Sequence, residues 1–321
     1  MPVAAVTGTA QLLTDTAAYD RGLYNALRPQ LVFDRCADVE PTNQTHPGTS
    51  VLFNIKNDPA VATTPLTELT EVTPTAGSDA NVTVTLNEYG NADTISAKIR
   101  GTSYLNEVMR AANTMGFNAG KTLDTLARDP LLAGTNVDWS GAATSRVTIA
   151  ATHVLTADEV RLADVRLTDG NVSTYEDGYY RAYIAARVAF DLRKETGAAA
   201  WREPHVNSQP EEIWNGSVGY FEHFQFIQTS RLSAAELPTG FVDGGVGGTV
   251  DVYPTVFMGR EALAKIWSQA VSSPTPTPVI SPITDILQRF RGVGWHWVGG
   301  FGRFREASLF RQESASSVGA N

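Results

Sequence analysis

The chain has 321 residues, 42% of them apolar and 18% charged, with a net charge of −9. That is the composition of a folded protein with one large domain or two ordinary ones. The acidic balance excludes a protein whose main task is to grip nucleic acid through a basic face, though not one that surrounds nucleic acid.

Residues 1–49 are a weakly patterned lead-in. A short helix is predicted over residues 16–27, with Tyr19, Leu23 and Leu27 on one face, and the remainder reads as an extended arm that needs tying down. Met1 to Gln11 has neither the basic nor the apolar region of a signal peptide, and no run approaches the ~20 apolar residues of a membrane span. The chain therefore reads as a cytoplasmic product, and the sequons at Asn43, Asn81, Asn171 and Asn215 carry no meaning. Cys36 is the only cysteine, which excludes an internal disulfide framework and a thiolate metal cluster.

A two-stranded arm follows. Val51, Phe53 and Ile55 alternate with Leu52, Asn54 and Lys56, and Val82, Val84 and Leu86 alternate with Thr83, Thr85 and Asn87. This period of two is the strand signature. Between the strands lies a polar span with Pro59, Pro65 and Pro74, whose only apolar anchors are read as Leu66, Leu69 and Val72. An isolated hairpin is marginal in water, so this one folds back on its own domain or lies on another copy of the chain.

From Ser103 the period becomes helical. A helix is predicted over 103–128, with Ser103 as N-cap and Asp129-Pro130 as the stop; about 26 residues give a rod of roughly 40 Å. A second helix opens at the capping box Thr156-x-x-Glu159 and runs to about Leu167, with Gly170 just past its end. Tyr180 to Ala185 is predicted as a buried strand, Val188 to Lys194 as a short helix and Ser217 to Ile227 as a strand. Leu232 to Val250 reads as a loop, most flexible at Gly244 to Gly248. A strand over Asp251 to Met258, a helix over Arg260 to Trp267 and a Ser/Pro/Thr linker over Ser272 to Pro278 come next. Two strands, near Arg289 to Val298 and Phe304 to Gln312, close the pattern before a small polar tail.

Chemistry is sparse. The five histidines (His46, His153, His205, His223, His296) never fall at metal-ligand spacing. There is no nucleophile elbow, and one cysteine supports no Cys–His pair. Gly244 to Gly248 lacks the Lys-Ser/Thr of a phosphate loop. Glu211-Glu212, Asp158-Glu159 and Asp191 sit where carboxylates cap or solvate. Trp295-His296-Trp297, on an alternating strand, points both tryptophans one way and His296 the other, as in a sheet packed on a core. No catalytic, cofactor or metal site is therefore predicted, and the chain is not read as an enzyme.

The order of arm, hairpin, long helix, mixed α/β region and returning strands resembles the major capsid protein of tailed bacteriophages with the Hong Kong 97 fold, an α+β class. Leu86-Asn87-Glu88-Tyr89-Gly90, Ser217 to Ser230, Phe257-Met258-Gly259-Arg260-Glu261-Ala262-Leu263, Trp295-His296-Trp297 and Ser314 to Asn321 are similar to the coat-protein family typified by coliphage N four. The resemblance implies an N-terminal arm (1–49), an extended loop (50–100), a peripheral domain on the long helix (101–169), an axial domain (170–275) and a return to the peripheral domain with the tail (276–321). It implies hexamers and pentamers closing into an icosahedral shell around packaged double-stranded DNA, assembled in the host cytoplasm. The remaining partners would be a portal and, because residues 1–49 hold no charged heptads, a separate scaffolding protein. Pro59, Pro65, Leu66, Leu69, Val72 and Pro74 would be the intersubunit residues of the loop. The type member crosslinks subunits by Lys–Asn bonds; Lys56 lies in the loop as a donor, but no asparagine and glutamate can be matched to it. Two other readings compete. One is an encapsulin-like cellular compartment, separable by its protein cargo; the other is a carbohydrate-binding or hydrolytic virion protein using Trp267, Trp295 and Trp297.

Overall fold

The computed structural model describes residues 32–34, 37–39, 49–56, 61–63, 65–66, 68, 71–72, 76–103, 106–196, 217–268, 272–276, 278–282, 286–287 and 289–318. The predicted helix at 16–27, Cys36, Pro59, Leu69 and Pro74 lie outside them.

Two sheets and one long helix organise these residues. The five-stranded sheet runs β1 (Asp38–Val39), β10 (Leu263–Trp267), β12 (Phe290–Arg303) and β11 (Pro278–Ile280), with β4 (Asn87–Ser96) also paired to β12. The six-stranded sheet has the order β5 (Val137–Trp139), β13 (Leu309–Ser314), β9 (Tyr253–Met258), β6 (Tyr180–Ala185), β8 (Phe224–Thr229), β7 (Ser217–Phe221). The main core lies between the six-stranded sheet and its helices, with Phe224, Phe226, Phe257 and Phe310 fully buried at its centre. β6 and β9 show no apolar–polar alternation because both of their faces are covered, Arg181 of β6 alone being half-buried.

The predicted hairpin forms from β2 (Ser50–Lys56) and β3 (Asp79–Thr85), in register from Ser50↔Thr85 to Lys56↔Asp79. Its base does not wait for a partner. Val51, Phe53 and Val84 are buried against Ala264 and Ile266, with Val82, Leu86 and Phe304 alongside. The hairpin can lie flat because β12 carries glycines beneath it: a Cβ at Gly300 would overlap the Thr85 carbonyl, and one at Gly302 would stand 2.6 Å from Val84 Cγ2. β4, which continues from the hairpin, pairs with β12 over ten residues and was not legible as a separate strand.

The long helix is α2 (Glu107–Leu132), shifted four residues from the prediction at each end. Ser103 instead ends α1 (Ala97–Thr102), and Asn106 caps α2 by accepting from Met109 N–H at 3.3 Å. Pro130 does not stop the helix, because Leu131 and Leu132 beyond it are buried and Arg311 donates to the Leu132 carbonyl. The capping box of α3 (Ala157–Asp169) forms as predicted, with Thr156 N–H donating to Glu159 at 3.0 Å. Gly170 ends that helix at φ −74°, and the left-handed turn falls on Asn171 at φ 50°. α4 (Ala186–Lys194) matches the predicted short helix. The strand expected over 217–227 is two strands, β7 and β8, reversed at Glu222 with φ 49°.

One prediction fails outright. The helix expected over Arg260 to Trp267 is the strand β10, paired parallel to β1 and antiparallel to β12. All five of its residues are buried, and a strand covered on both faces cannot be told from a buried helix by periodicity.

Candidate functional site: surfaces that face out of the subunit

The inner face of β12 is closed. Val293, Trp295 and Trp297 point at α2, where Ala119 and Leu123 meet the tryptophans. Trp295 Nε1 donates to Asn118 Oδ1 at 3.0 Å and Trp297 Nε1 to the Ser273 carbonyl at 3.1 Å, so both rings are packed and satisfied. His296 points outward to Glu88 at 2.8 Å. Trp267 is also buried, which leaves none of the three tryptophans available to stack on a sugar.

Polar clusters in the interior act as ties. Asp124, fully buried, accepts from the N–H groups of Val32 and Phe33 at 2.9 and 2.6 Å and from Arg231 Nε at 2.9 Å. Glu236 meets Lys121 at 2.8 Å and also pairs with Arg231. Burial works to raise the Glu236 pKa, but the two cations outweigh it and hold the carboxyl below its usual value. Glu306 behaves likewise: burial raises it, while the N–H groups of Thr135 and Asn136 and the Thr135 hydroxyl bring it below the ordinary range. Lys265, nearly buried, meets Asp34 at 2.6 Å. Each of these joins segments distant in sequence, and none presents a nucleophile beside a base. The glycine run at 244–248 is a hydrogen-bonded turn, with Gly245 N–H to Val250 O and Val246 N–H to Ile149 O, both at 2.9 Å. Among the described residues no group of three metal-ligating side chains converges, and no helix is long and apolar enough to cross a membrane.

The outward surfaces are of a different kind. In the loop beyond β2, Leu66 is 77% and Val72 57% exposed, and Pro65 is exposed beside them. Lys56 is the last residue of β2, opposite Asp79. Val61, at 85% exposure, belongs with these and was missed, although an apolar residue in an otherwise polar loop was a readable signal. Ile286 and Leu287, at the turn between β11 and β12, are also exposed, 98% and 67%; the sequence reading passed over them, although Ile283, Ile286, Leu287 and Phe290 stand at helical spacing. An open groove of about 470 Å³ lies on the outer face of the five-stranded sheet, floored by Gly90, Ala92, Gly292 and Gly294 and flanked by Val279 and His296. These are uncovered apolar surfaces rather than a reaction centre.

A family model described as phage capsid protein matches residues 29–312. No curated protein matches the chain in sequence. Among solved structures, the capsid of Ralstonia phage GP4 is similar with a TM-score of 0.71 at 14% identity, covering 99% of this chain and 100% of that one. The capsid of cyanophage Pam1 gives 0.68 at 14% identity, over 99% and 100%. The head of Helicobacter pylori bacteriophage KHP40 gives 0.66 at 10% identity, over 97% of each. With a fold shared end to end with these Hong Kong 97-type shells, and with a family match spanning all but its two ends, the chain belongs to the phage capsid protein family, as a structural major capsid protein of the virion.

Proposed function

We propose that this subunit closes into an icosahedral shell of hexamers and pentamers around packaged double-stranded DNA, and that it does so without catalytic chemistry. The observation that carries the reading is the loop beyond β2 and β3. Val61, Leu66 and Val72 are all more than half exposed in the isolated subunit, and apolar side chains grouped on one segment mark an interaction surface. In this reading Pro59, Pro65 and Pro74 stiffen the loop and lower the entropy lost on docking, while Leu66, Leu69 and Val72 are covered by a neighbouring subunit. The peripheral domain is then built on α2 and the five-stranded sheet, and the axial domain lies within 170–275. Residues 1–49 form the arm, and 276–321 return to the peripheral domain. The coliphage N four type of coat protein is the proposed closer kin, with a separate scaffolding protein and a portal as partners and the host cytoplasm as the place of assembly. Lys56, the last residue of β2, is the candidate amine for a covalent crosslink, with no asparagine and glutamate matched to it.

The test is electron microscopy and light scattering of the purified protein, with and without a scaffolding protein. Shells, capsomers or large assemblies are expected, since permanent interfaces of this class bury upwards of ~2,000 Å². A clean monomer at high concentration under both conditions overturns the proposal.

A further inference from the structure

Both large sheets end in strands with one free side, and a free strand edge offers a row of N–H and C=O groups to which another chain can add a strand. Most of these edges are short or broken. β1 has two residues, β5 three and β11 three, the last beginning at Pro278, which has no N–H to offer. β7 carries a register shift between Ser217 and Gly219, and a bulge bends an edge strand out of line. β4 is the exception: ten residues long, unbroken in its register with β12 and mostly exposed. Among the described residues no strand pairs with its other side.

The bonds of the neighbouring strands fix which groups of β4 face outward. The N–H and C=O of one residue point to the same side of a strand, and successive residues alternate. The Gly292 carbonyl of β12 accepts from Ser281 N–H and the Val298 carbonyl from Ser268 N–H, so the even-numbered residues of β12 turn away from β4. Its odd-numbered residues face β4, where Arg291, Val293 and Trp295 stand opposite Ile95, Asp93 and Asn91. The Arg289 carbonyl continues that row by accepting from Ala97 N–H. Odd-numbered residues of β4 are therefore bonded to β12, and the N–H groups of Ala92 and Thr94 point off the sheet.

Those two donors are already taken. Ala92 N–H donates to Asn91 Oδ1 at 2.9 Å and Thr94 N–H to Asp93 Oδ1 at 2.8 Å. Asn91 is held from the side of α2, its amide donating to Asn118 Oδ1 at 3.2 Å. The edge of the other sheet repeats the arrangement. In β5 the Asn136 carbonyl accepts from Arg311 N–H and Ser140 N–H donates to the Glu313 carbonyl, so Trp139 N–H faces away from β13. It donates to Asp138 Oδ1 at 3.0 Å, and Arg166 fixes the other oxygen of that carboxylate at 2.6 Å. Asn and Asp are poor strand formers. At all three positions they close the outward N–H of the residue that follows them, and all three lie on a sheet edge.

We propose that Asn91 and Asp93 guard the free edge of β4, holding its donors on their own side chains so that a strand of a second copy of this chain cannot add to it. A second copy is the partner to exclude, because every subunit carries the same ten-residue edge and two such edges can pair antiparallel. The local side-chain bond competes with the intermolecular ladder for the same N–H.

The test compares full-length variants for irregular aggregates that bind thioflavin T and show the intermolecular β-sheet band in the infrared, a readout that does not depend on closed shells. Asn91→Ala with Asp93→Ala should raise both signals several-fold. Asp93→Ala alone, which leaves Asn91 and its bond to α2 intact, should show part of that rise. Asp93→Asn keeps an acceptor oxygen but not the charge, and should match the parent. If it aggregates as strongly as Asp93→Ala, charge repulsion protects the edge and the proposal falls. Asn118→Ala loosens the contact of α2 with β4 while both guards remain; aggregation equal to that of the double alanine variant would make lost stability the cause and sink the proposal as well. Parent-like behaviour of the double alanine variant overturns it outright.

Discussion

At the scale of single residues, Asp124 is a fully buried tie between distant parts of the subunit. Its carboxylate has no exposure to water, yet it accepts backbone N–H bonds from the segment that leads in from the arm and pairs with Arg231, itself fully buried. Removing one partner of such a pair leaves an uncompensated buried charge, which costs about 3–5 kcal/mol. We expect Asp124→Ala to lower subunit stability by that amount in urea unfolding, and Asp124→Asn to lower it less, because the amide oxygen can still accept. Equal and negligible losses in both would mean Arg231 is satisfied by Glu236 and Thr125 alone. Trp297 is the apolar counterpart: fully buried, stacked on Tyr89 at 6.0 Å and bonded through its indole N–H. Trp297→Ala should cost roughly 3–5 kcal/mol, read as a lower urea midpoint. A variant of normal stability would return this tryptophan to the surface role that its burial denies it.

At the scale of elements, the hairpin divides into two parts with different duties. Its base, through Val51, Phe53 and Val84, belongs to the subunit core, whereas Leu66 and Val72 touch nothing that covers them. Replacing 57–78 by a short glycine-containing turn should therefore leave circular dichroism and the melting temperature close to those of the parent while closed shells disappear from micrographs. A collapsed melting transition would place the loop in the subunit's own stability. The sequence announced this element clearly because a strand covered on one face alternates. The same logic exposed Trp295-His296-Trp297, and a local hydrogen-bond signature exposed the Thr156–Glu159 cap. β10 was illegible for the opposite reason: covered on both faces, Leu263 to Trp267 shows no alternation, and its alanine, leucine and lysine are also good helix formers. The end of α2 was misjudged because a proline rule is local, while Leu131 and Leu132 are buried and Arg311, from the far end of the chain, donates to the Leu132 carbonyl. The groove was invisible in sequence, since its floor is four small residues on two strands roughly two hundred positions apart.

At the scale of the whole subunit, two carboxylates fasten parts that folding must bring together from afar, and both are held below their ordinary pKa of 4.5. Glu236 joins the loop after β8 to α2 through Lys121 and Arg231, and Glu306 joins the turn between β12 and β13 to the segment that follows α2. In each case burial alone would raise the pKa, so the depression measures how far the partners favour the ionised form over water. A group whose folded pKa lies below its unfolded value binds its proton more readily when the chain is unfolded. Its stabilisation is then fully present above the unfolded pKa and is lost as pH falls through the folded one. Subunit stability should accordingly be flat from neutral pH down to about 5 and decline below about 4.5, as both ties are protonated. Urea midpoints taken across that range measure the slope. Glu306→Gln keeps the shape of the side chain but does not titrate, so it should lower stability at neutral pH and remove part of the acid decline. If the variant loses stability equally at every pH, the ionised form of Glu306 is not what holds β12 and β13 to the end of α2.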